Sequence, residues 1–149
     1  MFDIKRLKPV TVITGHYGVG KTNLAINLAL DARYAGLEVR VADLDVVNPY
    51  FRSSDYRHLL ENAGVQVIAP RYAGTTLDAP AISGQVSAAL DWARGETGRL
   101  LLIDAGGDDV GATALGRFAC GIAEGDYDLL YVVNRSRNLV HDSEEALCV

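Results

Sequence analysis

Lysine is scarce in this chain. Only Lys5, Lys8 and Lys21 occur among 149 residues, so Lys21 stands alone beyond Lys8 and is not one of a run of solvated surface lysines. Cysteine is rarer still: Cys120 and Cys148 lie far apart, with no C-x-x-C spacing. That excludes a disulfide framework and a cysteine-based zinc site, and leaves buried or incidental thiols. No apolar run approaches the ~18 residues of a membrane span. Met1 to Pro9 carries charge but lacks the apolar stretch of a secretory signal. A cytoplasmic location is the resulting expectation. An excess of positive charge is also missing. The net charge of −5 gives no clear signal for nucleic acid or an anionic membrane as partner. Internal repeats, low-complexity segments and dividing linkers are absent too, so residues 1–149 read as one domain.

What is present is an alternation of apolar runs and helical patterns. Strands are expected at Val10–Thr14, Glu38–Asp43, Val65–Ala69, Arg99–Asp104 and Asp128–Asn134. Helices are expected at Thr22–Ala35, closed by Gly36, and at Ser54–Ala63, closed by Gly64. A third covers Ala79–Arg94, with Ile82, Val86, Ala89, Leu90 and Ala93 along one face, and a fourth Val110–Ala119. Asp142 or Ser143 could cap a last helix carrying Glu144 and Glu145 in its first turn. Loops take the remainder, including Pro70–Asp78. Continuously apolar strands alternating with helices imply an α/β fold: a parallel sheet of about five strands with helices on both faces, three layers in all. Ligands in such sheets sit at the carboxyl ends of the strands.

The first strand ends in Gly15-His16-Tyr17-Gly18-Val19-Gly20-Lys21-Thr22, a G-x-x-x-x-G-K-T run leading into a helix. Strand before and helix after is the context a phosphate-binding P-loop requires. Gly15, Gly18 and Gly20 let backbone N–H groups, with that of Val19, curl around phosphate oxygens where a Cβ would obstruct them. The helix start at Lys21, Thr22 and Asn23 adds free N–H donors and the positive end of a dipole. Lys21 would reach the terminal phosphates and the Thr22 hydroxyl would ligate Mg²⁺. The competing reading is a glycine-rich turn that binds nothing.

Two other strands end in carboxylates at the same end of the sheet. The second ends in Asp43-Leu44-Asp45, and the fourth in Asp104 followed by Ala105-Gly106-Gly107. An apolar strand closed by Asp is the Walker B pattern, which makes Asp104 the Mg²⁺ carboxylate. Asp45 is placed to orient an attacking water, and Asp43 to support the Mg²⁺ or Lys21 network. Gly107 could offer its N–H to a terminal phosphate and shift when that phosphate is lost. Without a nucleotide, Asp104 would be a helix cap, and Asp43 and Asp45 a solvated turn before Pro49. Asn48 could be a switch residue or ordinary turn chemistry.

Gly15–Thr22, Val41-Ala42-Asp43-Leu44-Asp45 and Leu101-Leu102-Ile103-Asp104-Ala105-Gly106-Gly107 together resemble the MinD/ParA/CobQ-type nucleotide-binding domain of the SIMIBI P-loop class. Asp43–Arg52 is similar to a variant in bacterial MinD/ParA-like ATPases. The resemblance covers most of the chain. It implies ATP rather than GTP, Mg²⁺, slow hydrolysis, often a homodimer or another protein partner, and a P-loop strand lying between the Walker B strand and the fifth strand. Three departures stand out. His16 occupies the position of a lysine that in the family reaches a dimer partner's phosphates. The chain lacks the family's C-terminal strands, which leaves the fifth strand as an edge and Asn134 as one candidate for base contact. No amphipathic membrane helix follows.

Three functions remain open on these residues. The first is an ATP-hydrolysing switch worked by Lys21, Thr22, Asp45 and Asp104. The second is a nucleotide-binding module without turnover. The third is an ATP-dependent biosynthetic enzyme of the CobQ or dethiobiotin-synthase type, for which no acceptor site is visible.

Overall fold

The computed structural model describes residues 3–44, 53–69, 79–107 and 109–134. After a short 3₁₀ turn at Ile4–Arg6, the order is β1 (Val10–Thr14), α1 (Lys21–Tyr34), β2 (Glu38–Asp43), α2 (Ser53–Asn62), β3 (Gln66–Ile68) and α3 (Ala79–Gly95). Then come β4 (Arg99–Asp104), α4 (Asp109–Gly116), α5 (Ala119–Ala123) and β5 (Tyr127–Tyr131). The strands form one five-stranded parallel sheet in the order β3-β2-β4-β1-β5. The P-loop strand therefore lies between the Walker B strand and the fifth strand, as the resemblance implied.

Alternation along the strands explains the three layers. In β4, Leu100 and Leu102 face a cluster with Ala25, Ile26, Leu28, Ala29 and Ala32 of α1 and Leu60 of α2. Leu101 and Ile103 face the other cluster, with Val86, Ala89, Leu90 and Ala93 of α3 and Ile122 of α5. All four β4 residues are buried, as a central strand covered on both faces must be. The alanines of α1 recur at i, i+4 and i+7, and their small size lets that helix lie close on the sheet.

Two expected elements differ. The helix expected at Val110–Ala119 is two, α4 and α5. Gly116 is a poor helix former and ends the first. The Phe118 N–H then closes a turn on the Leu115 carbonyl, with the Phe118 side chain buried in the core. Arg94 of α3 donates to the carbonyls of Gly121 and Ile122, each at 2.6 Å, which fixes α5 against α3.

The fifth strand runs Tyr127–Tyr131 rather than Asp128–Asn134. Its register against β1 ends at Thr14↔Tyr131, because β1 stops where Gly15 turns away with φ +147°. A last bond from the Val132 N–H to the Thr14 carbonyl follows, and Asn134 lies beyond the strand. β5 is an edge of the described sheet, with Tyr127, Leu129 and Tyr131 exposed on one face. Cys120 is a free, exposed thiol on α5 rather than a buried one. Cys148 and the expected last helix lie outside the described residues, as does the loop expected at Pro70–Asp78.

Candidate functional site: a phosphate cradle at the strand ends

The carboxyl ends of β1, β4 and β2 come level with one another. Register pairs Ile13 with Asp104 and Asp104 with Asp43. Asp104 and Asp43 share the face of Leu102 and Val41, the side on which α1 packs. Neighbouring strands lie ~4.8 Å apart, so Asp43 and Asp104 are adjacent residues at the ends of their strands.

The loop from Gly15 to Gly20 joins β1 to α1 above them. Gly15, Gly18 and Gly20 have φ of +147°, +71° and +102°, a region that disfavours any side chain. Gly20 occupies the N-cap of α1 with no capping side chain, so the first-turn N–H groups of Lys21, Thr22 and Asn23 point out of the helix without one. Among the described residues, then, the concave loop is lined by backbone donors, as an anion site is. The Val19 side chain is buried and anchors the loop, while Tyr17 is 70% exposed.

Lys21 is 5% exposed. Its Nζ donates to the His16 carbonyl at 3.2 Å, and among the described residues no carboxylate comes within ion-pair distance of it. A buried ammonium whose partner among the described residues is a single carbonyl is poorly compensated by them, and an anion in the loop would supply the missing charge. The Thr22 hydroxyl donates to Asp104 Oδ2 at 2.7 Å, and Asp104 is 2% exposed. The hydroxyl and the carboxylate thus already converge on one point. Such a pair fits Mg²⁺, which takes few protein ligands and completes its shell with water and phosphate oxygens.

Gly107 closes the cradle from the β4 side. A Cβ there would fall 1.7 Å from the Gly15 carbonyl oxygen and 3.1 Å from the His16 Cα. Backbone meets backbone, so the position accepts only glycine without a shift. Gly107→Ala is expected to push the 105–107 turn off the P-loop, costing about 1–3 kcal/mol of stability. Nucleotide affinity should fall with it. Chemical denaturation and nucleotide titration of the same variant would check both.

The remaining sequence candidates divide. Asn23 is exposed on α1, where its carbonyl accepts from Asn27 Nδ2 at 2.7 Å. Asp45 and Asn48 lie outside the described residues. The contact between His16 and β5 was not foreseen. The His16 ring meets Tyr131 edge-on, with centroids 6.2 Å apart, and a Cβ on Gly15 would lie 2.4 Å from the Val132 carbonyl oxygen. The edge strand therefore buttresses the start of the P-loop.

The chain is similar to the signal recognition particle receptor FtsY from Elizabethkingia anophelis, with 20% identity and a TM-score of 0.62 over 95% of this chain and 46% of that one. The chain has a P-loop NTPase fold. The same receptor in complex with GDP gives 18% identity and a TM-score of 0.55, over 82% of this chain and 39% of that chain. This chain thus spans less than half the length of either receptor structure. At such identities the likeness is one of fold. It does not single out the MinD/ParA/CobQ type. No family model matches the chain, and neither does any curated protein sequence. Among the described residues, no helix is long and apolar enough to cross a membrane.

Proposed function

We propose that the chain binds a nucleoside triphosphate with Mg²⁺ in the Gly15–Thr22 loop and acts as a nucleotide switch with slow hydrolysis. The observation that carries this reading is the buried Lys21 ammonium beneath a loop of backbone donors, beside the Thr22–Asp104 pair. In this reading the N–H groups of residues 18–23 and Lys21 Nζ bind and orient the phosphate oxygens. Thr22 and Asp104 would hold Mg²⁺, with Asp43 supporting them, and the ion would supply charge neutralisation on the phosphates. Gly107 closes on the terminal phosphate. Asp45 orients the attacking water, and turnover depends on it.

ATP is the nucleotide proposed, on the resemblance of Gly15–Thr22, Val41–Asp45 and Leu101–Gly107 to the MinD/ParA/CobQ type. A second reading, GTP, is favoured by the likeness to a receptor solved with GDP. Titration of the wild-type chain with ATP and with GTP, each with Mg²⁺ and with EDTA, separates the two. ATP affinity at least about tenfold above that for GTP is expected, a difference of ~1.4 kcal/mol. The reverse order selects GTP, and binding of neither defeats the proposal. Phosphate release lost in Asp45→Ala, with binding retained, would identify a switch. Binding without release in the wild type would identify a module without turnover.

A further inference from the structure

A second cavity lies at the opposite end of the strands from the P-loop. It has a volume of about 330 Å³ and is lined in part by Arg33, Glu38, Arg40, Gly64, Gln66 and Trp92. Arg40 and Asp43 are three residues apart on β2, so the two sites are separated along the strand by ~10 Å or more.

Its wall carries cationic groups with donors to spare. The Arg40 guanidinium stacks 4.0 Å from the centroid of the Trp92 ring, and among the described residues no hydrogen-bond acceptor meets it. An arginine offers five N–H donors, and half-burying them without acceptors is unfavourable. The carboxylate on the cavity wall, Glu38, is engaged with Arg99 at 3.4 Å. Arg99 itself lies 5.3 Å from the centroid of the same indole ring, and its charge is met by Glu96 at 2.6 Å as well as by Glu38. Burial, and then the Arg99 charge, push the Arg40 pKa down from its ordinary value against an opposing pull from Glu38. Arg33 is held rigid by its bonds from Nε to the Ala63 carbonyl at 3.2 Å and from Nη1 to the Leu37 carbonyl at 2.7 Å. Its Nη2 stays beside Gly64, where a Cβ would come within 2.9 Å of it. Gly64, with no Cβ, leaves room for this donor beside the cavity wall. Gln66 sits opposite Arg40 in the β2–β3 register and adds an amide of either polarity.

We propose that this cavity is a binding site for a small anion bearing a carboxylate or phosphate group, held by the Arg40 and Arg33 guanidinium groups. A planar guanidinium whose ring stacking fixes its plane is pre-oriented for two parallel hydrogen bonds to such an oxyanion. Arg99 is paired with Glu96 at 2.6 Å and with Glu38, whereas among the described residues no carboxylate pairs with Arg40 or Arg33, and the volume admits a small molecule. The proposal does not depend on the nucleotide reading of the P-loop.

The chain carries its own reporter, because Trp92 is its one tryptophan. Its fluorescence should be titrated with inorganic phosphate, with succinate and with chloride at matched ionic strength. A saturable response to phosphate identifies a phosphate-class ligand, and one to succinate alone a carboxylate-class ligand; either supports the site. The response should persist in Lys21→Met, which separates it from phosphate in the P-loop. Arg40→Gln should raise the half-saturating concentration about tenfold or more, the loss of a charge-assisted bond. Gln66→Glu, at an exposed position that the fold tolerates, should weaken binding by introducing a competing carboxylate, and Gln66→Lys should not. This charge pair keeps the test decisive if Arg40→Gln fails to fold. A response equal for chloride, or one indifferent to the charge at residue 66, overturns the proposal. So does a response lost in Lys21→Met.

Discussion

Lys21→Met is expected to abolish nucleotide binding while leaving the unliganded protein as stable as the wild type or more so. The two effects have one cause. Lys21 is 5% exposed, and its ammonium is held by the His16 carbonyl alone among the described residues. Methionine fills a similar volume without the desolvation cost of a buried charge, so the empty protein loses little. The bound state loses the cation nearest the phosphates. Breaking a buried charge pair costs about 3–5 kcal/mol, which corresponds to a loss in affinity of roughly 100-fold or more. Calorimetric titration with Mg-nucleotide, beside thermal denaturation without it, reads both quantities. A variant that binds as the wild type does would remove Lys21 from the site. One that fails to fold would show that its ammonium is a structural group.

The second large effect is expected at Asp104. Asp104→Asn keeps the shape of a side chain that is 2% exposed and can still accept from the Thr22 hydroxyl. What it loses is the negative charge. Nucleotide affinity in EDTA should therefore change little, or rise slightly as repulsion of the phosphates is relieved. The gain in affinity on adding Mg²⁺ should shrink by about 10–100-fold, the usual scale for disturbing a metal site. Titrations in Mg²⁺ and in EDTA, for wild type and variant, isolate this coupling. An equal Mg²⁺ effect in both proteins would make Asp104 a helix-capping or structural carboxylate. Loss of binding in both conditions would point instead to a collapsed loop.

Much of this site was legible from residue order alone. The run Gly15–Thr22 needs no tertiary information, since its spacing, with a strand before and a helix after, is the local condition for curling N–H groups around an anion. The strand-end position of Asp104 was legible because Leu100-Leu101-Leu102-Ile103 has no polar residue for a solvated face and closes on a carboxylate, while its place beside β1 was implied only by the family resemblance. The helix after β4 was misread because periodicity does not register one glycine and one buried aromatic acting together. Gly116 ends α4, and Phe118, packed into the core, redirects the chain into α5. The end of β5 was misread for a different reason. Val132, Val133 and Asn134 continue an apolar, strand-like pattern, but a strand lasts only as long as its partner. That partner, β1, ends at Thr14 because the P-loop begins.

The sequence by itself determined the layered α/β class, the glycine-rich loop between β1 and α1, and the end of the sheet at which that loop sits. These follow from periods of 2.0 and 3.6 residues and from where glycine is needed, which are properties of neighbouring residues. Only the tertiary structure decided which distant groups meet. The register set Asp43 beside Asp104, and the packing of α1 brought Thr22 onto Asp104. The sheet order carried Tyr131 to His16, and Gly107 came to rest against Gly15. The far cavity belongs to this second kind. Arg33, Arg40 and Trp92 come from three different elements and share no local pattern. Long-range contacts of this sort depend on crossover geometry and side-chain volume across the whole core.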